Sequence, residues 1–192
     1  MNAYEYFSSM KKLFLAVLLF FSGGRVLALA TEPKRLEIYG IANRAELELV
    51  VDYISFAYNL GANPLLLRRN LLEISAVESA FGTADYAKNR GFGYGIWQFD
   101  KVAFNDIKNK IIQFQSGKFM LLCCRDIKSV TYEMLQNHAL IACFFARTYL
   151  YYKIPEPIGA TLEDRARQWK TYYNTDLGKG TIAQYIIASA NV

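Results

Sequence analysis

Two glutamates five residues apart, Glu73 and Glu78, lie in the apolar run Leu71-Leu72-Glu73-Ile74-Ser75-Ala76-Val77-Glu78-Ser79-Ala80-Phe81-Gly82. Shortly after it comes Gly93-Tyr94-Gly95-Ile96-Trp97-Gln98-Phe99-Asp100, which alternates glycine with aromatic residues at its start. A carboxyl group in apolar surroundings resists ionisation, and the negative end of a helix dipole adds to that resistance. Gly82 is expected to close the helix, so Glu78 stands at that end and should hold a proton near neutral pH. Such a group can hand its proton to a leaving oxygen as a general acid. Glu73 is the competing candidate. At ~100° per residue the two carboxylates lie roughly 140° apart, on different helix faces. Glu73 is mid-helix and four residues from Arg69, the spacing of a surface ion pair. Glu78 stands where the chain opens into a loop, and it is the preferred acid.

Other chemistries find little in the sequence. His138 is the single histidine, which excludes a multi-histidine zinc site, and no metal or cofactor is expected. A Cys-His nucleophile would need Cys123, Cys124 or Cys143 near His138, and Cys143 is five residues from it on one expected helix, so those two point apart. The glycines Gly91, Gly93 and Gly95 are not followed by Lys-Ser or Lys-Thr, so a phosphate-binding loop is excluded too. Alternate glycines instead let a backbone bend or approach a ligand, and Thr83 to Gly95 is expected to form a short β-hairpin or irregular lobe beside a cleft. Phe92, Tyr94 and Trp97 are either core aromatics or sugar-stacking plates. Ser79 is expected to orient Glu78 or the loop. Asp85 and Asp100 are the candidates for a second carboxylate, each with a loop or cap role as its alternative.

The order Glu78-Ser79, Gly95-Ile96-Trp97-Gln98 and Tyr172-Tyr173-Asn174 resembles the goose-type lysozyme and lytic transglycosylase superfamily, whose signature runs Glu-Ser at a helix end, Gly-Leu-Met-Gln, then Ala-Tyr-Asn. The resemblance covers roughly Asn63 to Tyr185. It implies a mostly α, lysozyme-like single domain whose loop after the acid forms one wall of a groove. It also implies cleavage of the β-1,4 bond between N-acetylmuramic acid and N-acetylglucosamine in peptidoglycan, by a non-hydrolytic route that needs only Glu78 and leaves 1,6-anhydro ends. By the same resemblance Gln98 bonds the sugar or fixes the loop, Tyr94 contacts substrate, Tyr173 reaches the acid or the acetamido group, and Asn174 ties two helices together; Ser79 and Asn174 are counted with these as substrate-binding residues. Asn137 to Leu150 is similar to the family's penultimate helix. Thr175-Asp176 stands where the family has Ala-Gly. A water-using muramidase and a catalytically silent wall-binding module are the alternatives; retention of Glu78, Gln98 and Tyr173 together speaks against silence.

The elements that must position these residues follow from composition and periodicity. With 192 residues and 53% hydrophobic content, one domain with a full core is expected. Lys11 and Lys12 before the apolar run Leu13 to Phe21, then Ala28-Leu29-Ala30, read as a secretory signal over residues 1–30, with an uncleaved anchor as the alternative. Export to the periplasm or beyond follows, as does a tether over 31–42 and a domain over 43–192. Residues 1–30 carry Lys11, Lys12, Arg25 and Glu5, so they take two of the net +5 and leave +3. That scattered excess suits an anionic wall polymer better than nucleic acid. The expected partners are therefore glycan strands and, for a local wall-opener, a secretion or conjugation apparatus; a monomer is expected.

Helices are expected from Asn43 to before Gly61, from Pro64 with Asn63 as cap, over Lys101 to Phe114, over Tyr132 to Tyr152, from a capping box at Thr161, and over Ile182 to Ala190 behind Thr181. Cys123, Cys124 and Cys143 allow one internal disulfide, joining Cys143 to one of the pair, or three buried thiols.

Overall fold

The computed structural model describes residues 39–84, 93–175 and 178–192, and these belong to one unit of the chain. The leader, most of the tether, Asp85, Gly91, Phe92 and Asp176 lie outside the described residues. The fold is mostly α, as the periodicity predicts.

Helix α1 (Arg44–Ala57) starts where the Asn43 side chain accepts a hydrogen bond from Glu46 N–H. Helix α2 (Pro64–Ser79) has Pro64 at its start, and the Asn63 oxygen caps both Leu65 and Leu66 N–H. Helix α3 (Lys101–Phe114) is capped by Asp100, and α4 (Ser116–Cys123) follows it closely. The sequence pattern suggests one continuous helix over 132–152, but the chain breaks at His138 into a single turn, α5 (Met134–Asn137), and the long α6 (Ala139–Lys153). The break serves the loop that follows the acid. Gly95, at φ +77°, comes so near the Leu135 carbonyl that a Cβ would lie 2.7 Å from it, and its N–H donates to Gln136 Oε1 at 3.0 Å. His138 itself is exposed at the junction.

Helix α7 (Leu162–Gln168) opens with a reciprocal Thr161–Asp164 capping box and continues without interruption as a wider π-helical segment, Trp169–Asn174. Helix α8 (Ile182–Ala188) has a second capping box between Thr181 and Gln184. The core is organised around two helices. α6 buries most of its length against α1, α3 and α4, while α2 packs on α1, α6 and α8. The only pairing of extended backbone among the described residues is the bridge between Tyr94 and Phe99, a tight reversal; most of the lobe expected over 83–95 lies outside the described residues.

The three cysteines are free thiols. Cys143 is buried, Cys123 is half-buried and Cys124 is exposed, so neither the disulfide nor the fully buried trio describes the protein. Burial pushes the Cys143 thiol well above its ordinary pKa and Cys123 up to about 12.

Glu73 requires a correction. It is not a surface residue paired with Arg69; it is 2% exposed and forms a two-pronged ion pair with Arg165 of α7, both bonds at 2.6 Å. Tyr185 of α8 adds a third bond to Glu73 Oε2 at 3.0 Å. The remaining guanidinium nitrogen donates to the Gly159 and Ala160 carbonyls. A buried pair with every arm engaged is costly to break, because the surviving charge keeps its desolvation penalty. Glu73→Gln is therefore expected to lower unfolding free energy by ~3–5 kcal/mol in denaturant titrations, far beyond the ≤1 kcal/mol expected of a surface pair.

Candidate functional site

Glu78 occupies the last turn of α2, on the side that meets the π-helical segment. Its Oε1 accepts a hydrogen bond from the Trp169 indole N–H at 2.8 Å, and among the described residues no donor reaches Oε2. Burial pushes its pKa up to about 7, with the Trp169 bond pulling the other way. The residue keeps part of its surface open. The arrangement is that of a carboxyl group clamped by one oxygen, with no described donor on the other, a form that can deliver or receive a proton.

The clamp is assembled by periodicity. Arg165, Trp169 and Tyr173 recur every four residues, and all three face the α2 side: Arg165 takes Glu73, Trp169 takes Glu78, and Tyr173 O–H donates to the Trp97 carbonyl at 2.6 Å. The two glutamates, expected on separate faces, thus meet the same neighbouring helix at successive turns. The π-helical widening is part of this. It leaves the Tyr172 carbonyl to accept from the Tyr149 hydroxyl of α6 at 2.9 Å. Such widened turns are rare and recur at functional sites.

The loop after α2 is bound to the same frame. Trp97 is wholly buried, and its indole donates to the Leu71 carbonyl of α2 at 3.0 Å, which resolves its role as core rather than a sugar-stacking plate. Gln98 is held at φ +50°, a conformation costly for a residue with a Cβ. Its amide nitrogen donates to the Gly95 carbonyl at 2.7 Å and more weakly to the Tyr39 hydroxyl at 3.4 Å. One end of the amide fixes the loop; among the described residues nothing donates to its oxygen. Tyr94 is half-buried, with its ring edge-on to Tyr132 at 4.5 Å. Its hydroxyl bonds no described residue.

Two expected substrate contacts are corrected. Ser79 is fully buried; its hydroxyl donates to the Ser75 carbonyl at 3.1 Å and accepts from Gly82 N–H at 3.0 Å. It cannot touch substrate, and it instead ties down a turn in which Ala80, Phe81 and Gly82 all have positive φ, 49°, 58° and 82°. Asn174 accepts from the Lys170 ammonium at 2.9 Å, and that ammonium also binds the Thr175 and Gly178 carbonyls. Asn174 thus organises a turn rather than a ligand. Thr175 there has φ +58° and ψ 176°, a glycine-like geometry that the Lys170 bonds hold in place.

Tyr173 departs from expectation more subtly. Its hydroxyl serves the Trp97 carbonyl and not the acid. Even so, burial and then the nearby Glu78 charge raise its pKa well above the ordinary value. Tyr149 and Tyr185 are raised as well, by burial first, with Glu78 among the lesser causes. Glu78 therefore bonds an indole and lies near enough to these phenols to bear on their titration, with no cation bonded to it among the described residues. Asp100 spends one oxygen on the Ala103 N–H of α3 at 2.6 Å and is a helix cap.

The sequence reading missed Trp169 as the partner of the acid, together with Tyr149, Arg165 and Tyr185. The four-residue spacing of Arg165, Trp169 and Tyr173 was the available signal. Gly180 lies under Trp169: a Cβ there would come within 2.5 Å of the indole ring. A separate groove of about 510 Å³, lined among others by Glu156, Asp164, Arg167 and Tyr172, includes none of the expected site residues. No protein-family model, curated protein or solved structure matches the chain.

The raised Glu78 pKa ties stability to pH. A carboxyl that binds its proton more tightly folded than unfolded stabilises the fold below the ordinary value of 4.5, and that contribution is lost as pH rises through about 7. Glu78→Gln removes the titration. Compared at pH 5 and pH 8 by denaturant unfolding, wild type should lose stability relative to the variant by on the order of 1–3 kcal/mol at the higher pH.

Proposed function

We propose that the chain is a peptidoglycan lytic transglycosylase that cleaves the bond between N-acetylmuramic acid and N-acetylglucosamine, with Glu78 as its one catalytic carboxyl. The observation that carries this reading is the state of Glu78: desolvated and bonded through one oxygen to an indole, with no donor on the other among the described residues. A neutral donor orients the carboxyl without supplying the positive charge that would ionise it. Protonated Glu78 gives its proton to the glycosidic oxygen as that bond breaks and positive charge builds at the sugar's anomeric carbon. The resulting carboxylate then takes the proton of the C6 hydroxyl on the same sugar, whose oxygen closes the anhydro ring. Glu78 ends the cycle protonated, and no water is consumed.

The order Glu78, Gln98, Tyr173 along the chain supports the wall polymer as substrate, through the resemblance to lysozyme-like enzymes. The Gln98 oxygen and the Tyr94 hydroxyl are the groups left to bind sugar. Export and service to a secretion or conjugation apparatus complete the reading.

Mass spectrometry of the fragments released from purified wall tests the reaction. Anhydro ends are expected from the wild type, with release falling ~10²–10⁴-fold in Glu78→Gln; reducing ends would point to a hydrolase, and no release to a silent module. Trp169→Phe removes the one bond that lowers the Glu78 pKa. The alkaline limb of its pH–activity profile should move to higher pH, with a smaller fall in rate at the optimum than Glu78→Gln causes.

A further inference from the structure

Helix α4 turns apolar side chains in both directions. Phe119 and Leu122 enter the core, while at ~100° per residue the opposite stripe is Gly117, Met120 and Leu121, and the exposed Cys124 follows at the end of the helix. Met120 is 48% exposed and Leu121 66%. A short surface helix ordinarily presents polar residues on that side. A further exposed aromatic stands at the end of α3, just before α4: Phe114 is 54% exposed and its ring lies 6.1 Å from Tyr152 of α6. The Lys110 ammonium sits over both rings, at 5.9 and 5.7 Å.

The segment that carries this surface is basic. Between Asp106 and Asp126 the sequence contains no acidic residue, whereas Lys108, Lys110, Lys118 and Arg125 fall in that interval. Exposed aliphatic and aromatic tips fringed by cations are the pattern of a helix lying in the headgroup boundary of an anionic bilayer, where burial of the tips and attraction of the cations act together. A second copy of the chain is a poor occupant. A two-fold contact sets each surface against itself, which here brings the cations of this segment together. No helix among the described residues is long and apolar enough to cross a membrane, and the contact drawn here is with the bilayer surface.

We propose that the α3–α4 corner is an interfacial binding surface for anionic phospholipid, with Phe114, Met120 and Leu121 entering the acyl boundary and Lys110 and Lys118 among the headgroup phosphates. This inference is independent of the reaction assigned to Glu78. In the peptidoglycan setting it would hold the domain against the membrane while the wall is cut.

The exposed Cys124 provides the test. The full chain is labelled with a maleimide in the presence of vesicles, and modification of Cys124 is localised by tandem mass spectrometry. Phosphatidylglycerol vesicles are expected to slow its labelling roughly tenfold, phosphatidylcholine vesicles to leave it unchanged, and salt of about 0.5 M to restore much of the rate. The double variant Met120→Ser, Leu121→Ser alters only exposed side chains and should abolish the protection, even if the apolar run near the N-terminus keeps the protein on the vesicles. Three results would overturn the proposal: unprotected Cys124 in wild-type protein that sediments with phosphatidylglycerol vesicles, equal protection by neutral vesicles, or protection without lipid. In the last case, dependence on protein concentration would identify a second copy as the occupant.

Discussion

The hydrogen bond from the Trp169 indole to Glu78 is the contact on which the functional account rests, and its meaning is clearest beside that of Glu73. Both glutamates lie on α2 and both meet the same neighbouring helix. Glu73 receives a guanidinium in a two-pronged pair, while Glu78 receives a single neutral N–H. A guanidinium compensates a buried carboxylate; an indole orients the group but leaves its charge largely uncompensated. One helix thus carries a structural carboxylate and a proton-holding carboxyl, distinguished by the residue placed opposite each.

The rest of the architecture keeps that indole and that carboxyl in register. Tyr173 O–H on the Trp97 carbonyl, and the Trp97 indole on the Leu71 carbonyl, link the π-helical segment, the loop and α2 in one circuit. The Tyr185 ring lies tilted against Trp169 at 5.3 Å and its hydroxyl bonds Glu73, so the structural pair also braces the indole. Backbone strain collects around the same point. Ala80, Phe81, Gln98 and Thr175 all hold positive φ without being glycine, at a cost of ~1–3 kcal/mol for each of the sparsely populated conformations among them. Such geometry persists only where surrounding bonds enforce it. Here Ser79, the Gln98 side chain and Lys170 supply them.

Much of the scaffold was legible because it depends on local chemistry. The caps at Asn43, Asn63, Thr161 and Thr181 act within a few residues of themselves, and the apolar period of α2 marks it as central. The choice of Glu78 over Glu73 was reached for a partly mistaken reason, since Glu73 is buried and not on the surface. Its partner Arg165 is 92 residues away, and local spacing favoured the nearer Arg69. The break at His138 was hidden for a similar reason: an apolar period runs through it, and only the approach of Gly95 to the Leu135 carbonyl gives the interruption a purpose. Ser79 and Asn174 were read as ligands because their types and neighbours match a pattern. Burial and the Lys170 ammonium, neither visible in a motif, make them fasteners of turns. Trp97 could be read as plate or core until its indole was found on a helix carbonyl.

The central claim is a protonation state, and it can be read directly. In the folded chain, the side-chain carboxyl carbon of Glu78, labelled with ¹³C and assigned by its loss in Glu78→Gln, should titrate by NMR with a midpoint near about 7. A midpoint near the ordinary 4.5 would mean that the indole and its surroundings leave an ordinary carboxylate, and the acid at the centre of this account would be absent.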